Sequence, residues 1–144
     1  MSVSVKDSGH RKTFASGAKR DRNKGKGKPS LIHWISTYAL SVVMEAGAEK
    51  YEAWNWAKGM PIGEYLDSAK RHIDKFLAGY RDEPHLGQAM FNLMGAAYTY
   101  IMVKAGLYPP ELNDLLPELS NADVEKIEKA LQEWNPYKNE NKKD

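Results

Sequence analysis

Apolar residues recur at helical spacing through most of the chain after residue 30. The clearest stripe runs from Ile62 through Leu66 and Ile73 to Leu77, and Gly79 ends it. The third segment is apolar on nearly every side, which is typical of a helix at the centre of a bundle or in a subunit interface. The predicted helices cover residues 31–52, 62–77, 84–104, 111–116 and 120–134. The sequence therefore predicts an all-α helical bundle.

The chain is 144 residues long, which gives room for one domain. Residues 1–29 are rich in Gly, Ser, Lys and Arg and lack apolar periodicity, so we expect an arm that is extended or disordered when alone. Ser30 is a suitable cap for the first helix. We expect a helical core over residues 30–107, a C-terminal helical extension over 108–135 and a flexible tail over 136–144.

Charge is distributed unevenly along the chain. Nine Lys or Arg and two Asp give residues 1–30 a charge of +7, so the formal net charge of +2 leaves −5 on residues 31–144. A basic arm is typical of a solvated tail or of an electrostatic contact with nucleic acid. A non-catalytic helical protein that binds nucleic acid through this arm is therefore one interpretation, although the acidic body argues against it.

Several classes of protein are excluded by missing residues. The chain has no cysteine, so any metal must be held by oxygen or imidazole ligands. It contains no Walker phosphate loop, no adjacent His-Asp pair and no Gly-x-Ser-x-Gly elbow. No apolar stretch predicts membrane insertion or a signal peptide, which favours a cytoplasmic protein.

Carboxylates lie in rows on the first two predicted helices. Glu45, Glu49 and Glu52 share one face of the first helix, and Glu64 and Asp67 are one turn apart on the second. If the two helices pack antiparallel through their apolar stripes, the rows face each other and offer the oxygen ligands that Mg²⁺ and Mn²⁺ prefer. The alternative is a solvated acidic surface.

A polar line crosses the otherwise apolar third helix. His85, Gln88, Asn92 and Thr99 fall within a narrow sector of its surface. Each of them alone could be a satisfied core residue, because buried polar groups need partners. The four together predict the wall of a binding site.

Short motifs follow one another in a fixed order between about residues 15 and 100. In chain order they are Gly17-Ala18-Lys19-Arg20-Asp21, Gly27-Lys28-Pro29, Gly47-Ala48-Glu49-Lys50-Tyr51, Asn55-Trp56, Gly59-Met60-Pro61, Tyr65-Leu66-Asp67, Arg71-His72, and His85 with Asn92. This series resembles the phage dATP/dGTP diphosphohydrolase family, which is related to the all-α MazG-like pyrophosphohydrolases. The resemblance implies an oligomeric helical bundle that uses Mg²⁺ or Mn²⁺ to hydrolyse dATP or dGTP to the monophosphate and pyrophosphate. It also implies the host cytoplasm if the chain is phage-encoded.

The resemblance suggests roles for individual residues. Arg20 and Lys28 match the family's basic pair, and the chain departs from the family in its short acidic loop before His85 and in having Gln88 where a second histidine is common. We expect the catalytic residues to be Glu49, Asp67 and His72, and the metal ligands to come from Glu45, Glu49, Glu52, Glu64 and Asp67. We expect the substrate, a purine deoxynucleoside triphosphate, to be bound by Arg20, Lys28, Lys50, Tyr51, Asn55, Trp56, Arg71, His85 and Asn92.

Some of these assignments have plain structural alternatives. Arg71 could form an intrahelical ion pair with Asp67, and His72 could simply hydrogen-bond a neighbouring helix. Tyr51, Trp54 or Trp56 could stack on the base, or belong to the core or to an interface between subunits. Which carboxylates bind metal stays open.

Overall fold

The computed structural model describes residues 6–7, 9–135 and 137. In this part of the chain, a short hairpin precedes a bundle of α-helices, which confirms the predicted all-α class. The α-helices are α1 (Trp34–Lys50), α2 (Ile62–Leu77), α3 (His85–Lys104) and α4 (Asn121–Trp134). Single 3₁₀ turns cover Pro29–Leu31, Asn55–Lys58 and Pro110–Leu112. None of the helices in the described residues is long and apolar enough to cross a membrane.

Helix α3 is the centre of the bundle, as its apolar character predicts. Both α1 and α2 pack mainly against α3. The predicted antiparallel packing of α1 on α2, with facing acidic rows, is therefore wrong. The physical reason is that α3 accepts a helix on two different faces, while α1 has no fully buried residue and leaves Ile35, Tyr38 and Val42 exposed.

Two glycines of α3 allow this close packing. A Cβ at Gly87 would lie 2.7 Å from the carbonyl oxygen of Ala39 in α1. A Cβ at Gly95 would collide with the ring of Tyr65 in α2. The buried core forms beside that second contact, where Ile62, Tyr65 and Ala96 pack together.

The local predictions for α2, α3 and α4 are confirmed, including the cap of α4, where Ser120 Oγ accepts from the Asp123 N–H at 3.2 Å. Helix α1, in contrast, begins at Trp34 and not after Ser30. Its cap is His33, whose ring accepts from the N–H of Ile35, because the Pro29–Leu31 turn occupies the expected start. The expected helix over residues 111–116 is replaced by the short turn Pro110–Leu112.

Residues 11–21 of the arm, which we expected to be extended or disordered when alone, form a β-hairpin that the sequence did not predict. Strands β1 (Arg11–Thr13) and β2 (Lys19–Asp21) pair antiparallel, with Lys12 opposite Arg20. Gly17 supplies the positive φ of 83° in the connecting turn, and the Gly17 N–H donates to the Phe14 carbonyl at 2.8 Å. A local turn therefore orders a segment that has almost no buried surface.

The C-terminal part is attached to α3 through polar contacts. The Tyr100 hydroxyl donates to Glu118 Oε1 at 2.6 Å, and Lys104 Nζ lies 2.6 Å from the same oxygen. Every residue of α4 is exposed, including its apolar stripe of Val124, Ile127, Leu131 and Trp134. Of the predicted tail over residues 136–144, all but Tyr137 lie outside the described residues.

Candidate functional site

A half-open cleft of about 820 Å³ lies beside the centre of the bundle. The second half of α1 and the loop after it form one side, and α2 and α3 form the other. This volume is within the range of roughly 300–1,000 Å³ that is typical of small-molecule sites. Its lining combines aromatic rings with a small number of charged and amide groups, so it suits a ligand with both an apolar and a polar end.

The aromatic side of the cleft is fixed by the core. The buried Tyr65 hydroxyl donates to the main-chain carbonyl of Trp56 at 2.9 Å. The Trp56 ring also meets the Tyr98 ring edge-to-face, with centroids 5.0 Å apart. Trp56 is therefore held in place before any ligand arrives.

Trp54, next to it, has an unusual backbone. Its φ of 66° and ψ of 10° are left-handed, and it is the one residue other than glycine with positive φ among those described. A bulky side chain in this region costs about 1–3 kcal/mol and commonly marks a functional site. The Trp54 side chain is 72% exposed at the cleft, so burial of the ring does not explain its conformation.

Many predicted site residues meet in this cleft. Those that line it are Glu45, Lys50, Tyr51, Glu52, Asn55, Trp56, His72 and Asn92. Glu52 forms an ion pair with Lys58. The polar line on α3 also faces inward, because Gln88 and Asn92 line the cleft while His85 and Thr99 are buried.

The other predicted residues lie elsewhere. Glu49 on α1 and Glu64, Asp67 and Arg71 on α2 are exposed and are not part of the lining. Among the described residues, Asp67 and Arg71 form no ion pair, so that simple explanation for their spacing is not observed.

The basic pair of the arm also lies outside the cleft. Arg20 is on β2 and lines a depression formed by the hairpin and the residues that flank it. Lys28 precedes the first 3₁₀ turn and is exposed.

A second group of polar residues lies where α2 and α3 meet. Nδ1 of His72 is 3.0 Å from Nδ1 of His85, and Oε2 of Glu83 is 4.0 Å from the same atom of His85. His85 Nε2 donates to Asp82 Oδ1 at 2.9 Å. The His72 contact with α3 is the interhelical hydrogen bond considered above.

Two residues of this group, His72 and Asp82, have shifted pKa values. Burial lowers the pKa of His72, and the nearby His85 lowers it further. The hydrogen bond from His85 lowers the pKa of the Asp82 carboxyl group. Both shifts favour a neutral His72 and an ionised Asp82 near neutral pH.

In the described part of the chain, one group of three His or acidic residues could hold a metal ion, because its ligand atoms all lie within 4.8 Å of one another. This group consists of His72, Glu83 and His85. The predicted carboxylates form no such group. Sequence reasoning missed Asp82 and Glu83, although their position just before His85 was a signal. A short turn after α2 brings these acids back to His72.

The sequence supports a family assignment for the part of the chain that contains both the cleft and the group of His72, Glu83 and His85. Residues 16–105 match the family described as dATP/dGTP diphosphohydrolase, N-terminal. The chain belongs to this family. The match covers the cleft and the group of His72, Glu83 and His85, and it ends before α4. The family's name describes a hydrolase that acts on dATP and dGTP. No curated protein and no solved structure matches the chain.

Proposed function

We propose that the cleft binds dATP or dGTP and that the protein hydrolyses it to the monophosphate and pyrophosphate. The observation that carries this proposal is the composition of the cleft. It combines aromatic rings, a lysine, carboxylates and amides within the region that matches the family. A nucleotide needs a surface for its base and opposite charges for its phosphates, and this lining offers both.

The purine base stacks against the aromatic side. Trp54 is the leading partner because its exposed ring is held at the cleft in spite of a strained backbone. Trp56 and Tyr51 extend the same surface. Asn55 and Asn92 supply polar contacts, and Asn92 already donates from Nδ2 to the Gln88 carbonyl at 2.8 Å, which leaves its Oδ1 as an acceptor for the nucleotide.

The phosphates bind to basic side chains in and near the cleft. Lys50 and His72 line the cleft. Arg71, which precedes His72 on α2, adds a third basic side chain from outside the lining. Arg20 and Lys28 add charge from the arm. Since they lie outside the cleft, this part of the proposal requires the arm to reach a cleft of its own chain or of a second copy in a homo-oligomer.

A divalent cation, Mg²⁺ or Mn²⁺, would be held by carboxylates from the predicted set. Glu45 and Glu52 line the cleft and offer the oxygen donors that these ions prefer. Glu49, Glu64 and Asp67 are the further candidates. Among the described residues, no three of these carboxylates have ligand atoms within 4.8 Å of one another, so substrate phosphates and water would have to complete the shell of the ion.

The bound cation would polarise the phosphate oxygens and assist in activating a water molecule. Water attacks the α-phosphorus, the bond from that phosphorus to the bridging oxygen of the β-phosphate breaks, and pyrophosphate leaves. Glu49 or Asp67 accepts the proton that the attacking water loses, which requires a side-chain movement or a bridging water because neither residue lines the cleft. His72 lines the cleft, where it contacts the phosphate group under attack and so orients it.

The proposal is tested by measuring pyrophosphate release from dATP and dGTP with Mg²⁺ or Mn²⁺, and again with EDTA. We expect release only with metal, and we expect Asp67→Asn to reduce kcat nearly to background without changing thermal stability. Asp74→Asn is the matched control, because Asp74 is exposed on the same helix and pairs with Lys70 at 2.7 Å. An absence of hydrolysis, together with salt-sensitive binding to DNA or RNA, would support the nucleic-acid alternative instead.

A further inference from the structure

The group at the junction of α2 and α3 has the ligands of a transition-metal site. Two imidazoles and one carboxylate offer ligand atoms within 4.8 Å of one another. Ligands at about 2.1 Å from a tetrahedral ion such as Zn²⁺ are about 3.4 Å apart. The observed separations of 3.0 Å and 4.0 Å lie on either side of that value, so small side-chain rotations would admit an ion.

The surroundings of His85 strengthen this interpretation. Its side chain is fully buried. A carboxylate only accepts hydrogen bonds, so the contact with Asp82 keeps the proton of His85 on Nε2. Nδ1, the atom that faces His72 and Glu83, is then left with its lone pair. Metal-binding histidines are commonly oriented in this way by a carboxylate on the other ring nitrogen.

We propose that His72, Glu83 and His85 bind one Zn²⁺-like transition-metal ion at the edge of the cleft, with Asp82 as a positioning residue. The nitrogen ligands distinguish it from the oxygen-only site for Mg²⁺ or Mn²⁺, because imidazole favours Zn²⁺, Co²⁺ and Fe²⁺ over Mg²⁺. The proposal does not depend on the nucleotide hydrolysis proposed above.

The site has a direct connection to the cleft through His72. Three protein ligands leave a fourth position open on a tetrahedral ion. On α3, Gln88 lies one turn after His85, and its buried Oε1 has no hydrogen-bond partner among the described residues. That oxygen is a suitable acceptor for a water molecule in the open position. With a metal on Nδ1, the neutral ring of His72 carries its proton on Nε2 and keeps a donor for phosphate.

The experiment uses the full chain after removal of metal with a chelator. Co²⁺ is added first, because its visible absorption reports nitrogen ligation and coordination number, and Zn²⁺ is then used to displace it while calorimetry gives the stoichiometry. We expect one ion per chain, displacement of Co²⁺ by Zn²⁺, no competition from millimolar Mg²⁺, and a higher Tm with Zn²⁺.

Variants separate this site from other histidines. Glu83→Gln and Asp82→Asn change exposed loop residues, so the fold should survive, and each should weaken Zn²⁺ binding by about tenfold or more. His33→Gln is the matched control, since His33 caps α1 away from the group, and it should leave Zn²⁺ affinity unchanged. Absence of Zn²⁺ binding, equal competition by Mg²⁺, or affinity unchanged in Glu83→Gln would each overturn the proposal and leave His72 and His85 as an ordinary hydrogen-bonded pair.

Discussion

The ring of Tyr65 lies so close to Gly95 that a Cβ at position 95 would stand 2.3 Å from its Cε1 atom. This contact joins α2 to α3 at the core. Through its hydroxyl group, the same tyrosine holds the carbonyl of Trp56 at the cleft. The packing of the two helices and the position of the aromatic wall are therefore linked by one side chain.

Gly95→Ala should lower the free energy of unfolding by about 1–3 kcal/mol, because the added methyl overpacks a buried contact. Urea unfolding measures the effect. Gly47→Ala is the matched control, since a Cβ there would meet nothing within 4 Å, and it should stabilise the protein by about 0.5–1 kcal/mol. Equal stability of the Gly95 variant and the wild type would mean that the two helices can move apart without cost.

The Trp54→Gly variant should have a free energy of unfolding about 1 kcal/mol higher than that of the Trp54→Ala variant. The reason is that glycine tolerates a φ of 66° and alanine does not. Both variants remove the ring and should raise KM for dATP and dGTP by a similar factor. Thermal unfolding and steady-state kinetics separate the two effects. Unchanged KM in both variants would exclude Trp54 as the surface on which the base stacks.

The metal-free protein should lose stability as the pH falls through the range in which histidine titrates. The pKa of folded His72 is below its ordinary value of 6.5, so between these two values the unfolded chain binds more protons and is favoured. Urea unfolding between about pH 7.5 and about pH 5 should show this slope. The slope should be shallower in His72→Gln, and an identical slope in both proteins would contradict the prediction.

Replacing Arg20 and Lys28 with alanine should raise KM for the triphosphate by about a hundredfold, since each charge-assisted contact contributes roughly 1.5–3 kcal/mol. Deletion of residues 1–28 should have the same effect with little change in the Tm of the helical core. Lys12→Ala is the control, because Lys12 pairs with Arg20 in the hairpin and shares its charge. KM and kcat unchanged by the deletion would make the arm a solvated segment without a role in binding.

The protein should be at least a dimer at micromolar concentration. After packing against α1 and α2, α3 still exposes Leu86, Leu93 and Ile101, which lie along one face. Sedimentation velocity tests this, and Leu93→Glu should shift the protein towards the monomer. Lys129→Glu on the exposed helix α4 should not. A wild-type monomer would refute the prediction.

The sequence by itself determined where most helices form. The apolar stripe of α2, the cap of α4 at Ser120 and the breaks at Gly79 and Gly106 depend on neighbours within one or two turns, so local spacing was sufficient. The ordered motifs also led to the family that residues 16–105 match. One local feature was not predicted from the sequence, namely the hairpin that turns at Gly17.

Tertiary structure decided which helices meet. Helix α1 has apolar residues on several sides, so its sequence could not select α3 over α2 as its packing partner. For the same reason, the positions of the carboxylates relative to the cleft could not be deduced from their spacing. Only the reversal of the chain between α2 and α3 brings His72 to Glu83 and His85, because these residues come from two helices and a turn whose relative placement depends on packing and not on local propensity.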